Sequence, residues 1–164
     1  MRRLLPVVIG AALVLLWPPA APASEWGSIV PAMSTMESVR AQYGGPTKTE
    51  TQKTDNYDTA SWIYEGAQAP PGLIRMVVDF GILQASGYRR DVVRSFKLEP
   101  KHGIFHRRIV LLGWGHPQRV GKQGDAEVFY YADGLVVIFD KEGFDAQMLV
   151  FTPPQPGEPG KPSR

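Results

Sequence analysis

Apolar residues along the chain follow two different periods. Met36, Val39 and Tyr43 recur at i, i+3 and i+7, the spacing of one helix face. Ser34-Thr35-Met36-Glu37 precedes them as a capping box, with the Ser34 hydroxyl accepting from the Glu37 amide and the Glu37 carboxylate reaching back. Gly44 suits the residue after a helix, and Pro46 forbids continuation. This predicts a helix over 35–43, too short to stand alone. The period then drops to two. Strands are expected at 47–53, 59–64, 73–80 and 88–98, with a turn at Asp55-Asn56, a longer one at 69–72 and a loop over 81–87. In the third strand Ile74, Met76, Val78 and Phe80 alternate with Arg75 and Asp79 and are expected to face the core.

The second half follows the same order. Phe105, Ile109 and Leu112 predict a helix face, stopped by Gly113, Gly115 and Pro117. Strands are expected near 118–122, 126–131, 135–139 and 144–151, with Asp133-Gly134 as a hairpin turn. A 71-residue offset sets Val39 on Val110, Tyr43 on Trp114, Gly44 on Gly115 and Pro46 on Pro117. The expected fold is α+β: two tandem helix-plus-four-strand repeats over 24–98 and 99–152, with an antiparallel sheet and short helices on one face. One eight-stranded sheet and two four-stranded sheets side by side both satisfy this pattern. From Pro153 to Arg164, seven of twelve residues are Pro or Gly, so a disordered tail is expected there.

The first 23 residues have the pattern of a secretory signal. Arg2 and Arg3 precede an apolar run over 4–17, Pro18-Pro19 interrupts it, and Ala21-Pro22-Ala23 offers a small-x-small cleavage site. The run is shorter than the ~20 apolar residues of a spanning helix. Cleavage after Ala23 and a periplasmic or secreted location are expected. Formal net charge is +2, and Arg2 and Arg3 account for all of it. A neutral remainder argues against nucleic acid as a partner, which calls for a basic face. Cysteine is absent, which excludes disulfides, thiolate metal sites, a Cys nucleophile and a lipidated-Cys anchor.

The stretch Ser28-Ile29-Val30-Pro31-Ala32-Met33-Ser34, followed by Val39, Gly44 and Pro46, resembles the opening motif of the SmpA/OmlA family, to which the outer-membrane assembly lipoprotein BamE belongs. Ala32 stands where that family usually has Gly. The same motif opens each half of the tandem-repeat β-lactamase-inhibitor-protein-like fold. The resemblance implies an envelope protein that binds another protein, an outer-membrane assembly component in the first case and an enzyme in the second. Neither family's anchor nor its disulfides carry over, since both need cysteine. It implies no catalytic residue.

The residues themselves offer little chemistry. His102 and His106 have helix-ligand spacing, but Gly103 lies between them and no carboxylate is close in sequence, so they read as solvated. No nucleophile elbow, phosphate loop or His-Glu-x-x-His occurs. No catalytic residue, metal site or cofactor is expected. The doublets Arg89-Arg90 and Arg107-Arg108 read as solvated charge, with peripheral contact to membrane headgroups as the sharper use. Strand alternation assigns Met76, Val78 and Val128 to the core. It turns Ile63, Phe129 and Tyr131 outward as part of a protein-binding patch on an open sheet face. The expected function is a non-enzymatic protein-binding module of the cell envelope, an accessory of outer-membrane assembly. The alternative is an enzyme inhibitor or soluble ligand-binding protein using the same face.

Overall fold

The computed structural model describes residues 25–154. The proposed signal segment and the tail beyond Pro154 lie outside the described residues. In chain order the elements are α1 (Met36–Tyr43), β1 (Lys48–Thr54), β2 (Tyr57–Glu65), β3 (Leu73–Gln84), β4 (Gly87–Pro100), α2 (Arg107–Trp114), β5 (Arg119–Gln123), β6 (Ala126–Tyr130), β7 (Leu135–Phe139) and β8 (Ala146–Phe151).

The strands form one antiparallel sheet in the order β1-β2-β3-β4-β8-β7-β6-β5. This corrects the expectation of two tandem helix-plus-four-strand repeats. The molecule is a single sheet with two short helices, because β4 pairs with β8 through Phe96↔Phe151, Lys97↔Val150 and Leu98↔Leu149. The halves are not equivalent units either. β3 and β4 run 12 and 14 residues, while β5, β6 and β7 run 5 each. The boundary expected at 98/99 falls inside β4, and the loop expected over 81–87 is strand except for a tight turn at Ala85-Ser86.

One core lies between the sheet and the helices. Val39 of α1 and Val110 of α2 join Tyr64, Met76, Val78, Phe80, Phe96, Leu98, Val137, Leu149 and Phe151 in a single cluster. Burying these aromatic and aliphatic side chains stabilises by roughly 1.5–3 kcal/mol each before entropy is counted. Two register expectations are corrected. Ile74 is 57% exposed, because the β3–β4 pairing shifts between Leu73 and Arg75 and Leu73 takes the inward position. In α2 the buried residue is Val110, and Ile109 and Leu112 point to solvent.

The α1 cap lies one residue beyond the expected position. Thr35 is the N-cap, its hydroxyl accepts from the Ser38 amide at 3.3 Å, and the Ser38 hydroxyl accepts from the Thr35 amide at 2.9 Å. The Ser34 hydroxyl instead accepts from the Val30 amide at 2.9 Å. Both helices end on a glycine with positive φ, Gly44 at 76° and Gly115 at 75°, a region that side chains avoid.

Candidate functional site

Side chains alternate across the sheet, so every residue packed beneath the helices leaves its neighbours on the opposite face. The pairing register aligns one row on that face across all eight strands: Lys48, Ile63, Val77, Lys97, Val150, Val136, Tyr130 and Arg119. Val77, Val150 and Val136 are β-branched and partly exposed, with Lys97 between Val77 and Val150. Both ends are cationic, and the Arg119 guanidinium lies 4.1 Å over the Tyr130 ring.

The rows on either side differ in chemistry. Toward one side Asp79 is buried and accepts from the Ser61 hydroxyl at 2.6 Å and the Ser95 hydroxyl at 3.1 Å, with the Lys97 ammonium 3.7 Å away. These donors balance a carboxylate that would otherwise be costly to bury. Toward the other side Arg75 lies 3.7 Å from both Glu65 and Glu99. Beyond that pair the face hollows into a trough of about 580 Å³, lined by Ile74, Glu99, Pro100, Ala126, Ile138 and Met148 among others. An apolar floor with a few polar groups at its rim suits recognition of an apolar side chain or small ligand.

The three residues expected to form the patch are placed differently. Ile63 lies on the open face but is 4% exposed. Phe129 and Tyr131, 4% and 6% exposed, belong to the helix-side core. Phe129 packs edge-on against Phe139 at 4.8 Å and lies under the Arg107 guanidinium at 4.9 Å. Tyr131 bonds the end of α2. The expected outward patch of Ile63, Phe129 and Tyr131 is therefore corrected: none of the three presents an accessible surface. Met76 and Val78 are core, whereas Val128 is buried outside the helix-side cluster. The accessible apolar residues of the open face are Val77, Tyr130, Val136, Ile138, Met148 and Val150. In the run 128–131 every residue is apolar, so no polar marker sets the phase of the alternation.

Sequence reasoning also missed Asp145. It is buried, its Oδ2 lies 2.8 Å from His102 Nδ1 and 3.2 Å from the Gly103 amide, and its Oδ1 has no partner. Among the described residues no hydroxyl is bonded to His102. His106 is the N-cap of α2. Among the described residues no three His, Cys, Asp or Glu side chains come together as metal ligands. Burial raises the Tyr43, Tyr64 and Tyr131 phenols above their ordinary range, Tyr64 to about 12.

No family model matches the chain, and no curated protein does. Among solved structures it is similar to the DUF4309 family protein YjgB from Bacillus subtilis, with 13% identity, 77% of this chain and 83% of that chain covered, and a TM-score of 0.48.

Proposed function

We propose that this chain is a non-enzymatic protein-binding module of the cell envelope, exported by its first 23 residues and acting through the open sheet face. The observation that carries this reading is the accessible apolar row over Val150, Val136 and Tyr130, with Val77 beyond Lys97. A row of this kind costs a solitary protein solubility and gains a partner buried area. The resemblance of residues 28–46 to the SmpA/OmlA opening motif favours an accessory of outer-membrane assembly as the setting.

The trough supports a second reading. Its volume of about 580 Å³ lies within the range of ligand pockets, which suits a soluble ligand-binding protein or an inhibitor that grips a protruding side chain.

A pull-down from detergent-solubilised envelope separates these readings. The chain from Ser24 is compared with Val136→Lys and with Ile138→Glu, each checked for folding. An integral membrane protein retained by the native chain and lost with both variants supports the assembly reading. A soluble enzyme lost with Ile138→Glu supports inhibition. Capture unchanged in both variants rules out the open face.

A further inference from the structure

Helix α2 combines two features that the fold does not need. Arg107 and Arg108 occupy its first turn, where the helix dipole disfavours positive charge, and no acidic residue offsets them there. Arg107 has a structural role: its Nε donates to the Gly143 carbonyl at 2.7 Å, its Nη2 lies 2.9 Å from Glu127, and its guanidinium covers the Phe129 and Phe139 rings. Arg108 has none of these contacts. It is exposed and has no ion pair among the described residues. Leu112, i+4 from it, is 71% exposed, and Ile109, three residues before Leu112 on the helix, is 48% exposed. Phe144, 60% exposed, stands at the head of the helix, where its carbonyl accepts from the Arg107 amide. At the corresponding places α1 exposes Ser38 and Ala41.

The charge around α2 is segregated. Between Glu99 and Asp125 there is no Asp or Glu, while Lys101, Arg107, Arg108, Arg119, Lys122 and all three histidines fall in that interval. The carboxylates that approach from other elements are already engaged: Glu127 faces Arg107 and stands opposite Lys122 in the β5–β6 register, Asp145 holds His102, Asp140 accepts from the Phe144 and Asp145 amides, and Glu142 lies near Lys141. Lys101 and Arg108 are left without a carboxylate partner.

We propose that the outer face of α2 is a docking surface for an anionic phospholipid bilayer, with Ile109, Leu112 and Phe144 entering the interface and Arg108 meeting headgroup phosphates. Exposed aliphatic residues beside unpaired cations suit a surface that is both negatively charged and yielding to apolar groups. No helix among the described residues is long and apolar enough to cross a bilayer, so the contact is superficial. The surface lies across the sheet from the open face and does not depend on the function proposed for that face. Both can be occupied at once.

The test is sedimentation of the chain from Ser24, which holds all the described residues, with phosphatidylglycerol–phosphatidylcholine vesicles and with pure phosphatidylcholine vesicles. Binding to the anionic vesicles alone is expected. Arg108→Glu is expected to weaken it about thirtyfold, the worth of two charge steps at the membrane surface, and Leu112→Ser severalfold. Arg89→Glu, the same charge reversal at the far end of the β3–β4 hairpin, should change it little, and unfolding midpoints confirm that each variant is folded. Absence of binding at low salt, equal binding to both vesicles, or equal loss with Arg89→Glu overturns the proposal. Sensitivity to Arg108→Glu without sensitivity to Leu112→Ser also overturns it, in favour of a soluble polyanion.

Discussion

Tyr131 donates its phenolic hydrogen to the carbonyl of Gly115 at 3.0 Å, fastening the end of α2 to the strand side of the core. Tyr64 does the same for Gly44 at the end of α1, at 3.2 Å. The last carbonyls of a helix have no intrahelical donor, so each tyrosine satisfies a group the helix leaves open. Tyr131→Phe and Tyr64→Phe keep the ring and lose the bond, and each is expected to cost about 1 kcal/mol. Urea midpoints check this, and unchanged midpoints would mean that water replaces the hydroxyl at no cost.

The same burial makes stability sensitive to alkali. Tyr64 is raised from 10.0 to about 12, chiefly by burial, with Arg40 opposing and Tyr43 adding to the shift. Tyr43 and Tyr131 are raised in the same direction. Above pH 10 the unfolded chain has released protons that the folded chain still holds, so stability falls as pH rises toward 12. Below 10 these groups make no pH-dependent contribution. The urea midpoint is expected to be lower at about pH 11 than at about pH 9, by a smaller margin in Tyr64→Phe.

Phe129 provides a test of register. As a core ring beneath Arg107 and against Phe139, Phe129→Ala is expected to cost about 3–5 kcal/mol. Tyr130→Ala, on the open face, should cost clearly less. Comparable unfolding midpoints for the two variants would contradict the pairing Phe129↔Val137 that sets this phase.

At the start of α1, Thr35→Ala removes the acceptor for the Ser38 amide and is expected to cost about 1 kcal/mol, with Thr35→Ser close to neutral. Glu37→Gln should leave the cap intact, since the reciprocal bond comes from Ser38. A drop in thermal midpoint for Glu37→Gln equal to that of Thr35→Ala would favour the carboxylate cap instead.

The elements themselves are largely legible in the sequence. Met36, Val39 and Tyr43 stand among polar residues, so their spacing identifies a face, and Gly44 and Pro46 mark its end. Where apolar residues run together, the pattern has no phase to offer. Ile109-Val110-Leu111-Leu112 contains a buried residue without a polar neighbour to single it out, and Val128-Phe129-Tyr130-Tyr131 does the same in a strand. The expected binding patch failed at this second run. Ile74 was misplaced because a pairing shift resets the alternation, and such shifts belong to the strand pair rather than to either strand alone. The joining of both halves into one sheet rests on β4 meeting β8, a contact between residues more than 50 positions apart that no local window contains.

That junction bears on the order in which the molecule can be completed. β8 is the last strand among the described residues yet lies in the interior of the sheet, between β4 and β7. A chain that emerges N-terminus first can pair β1 to β4 in sequence as hairpins, but the β4 edge then waits, unpaired and lined with Phe96 and Leu98, until residues 146–151 appear. Any interruption before that point leaves a four-stranded half with a sticky interior edge. A chaperone that holds the nascent chain would be most needed during that interval, and a stop codon a few residues before Ala146 should produce aggregation rather than a smaller soluble domain.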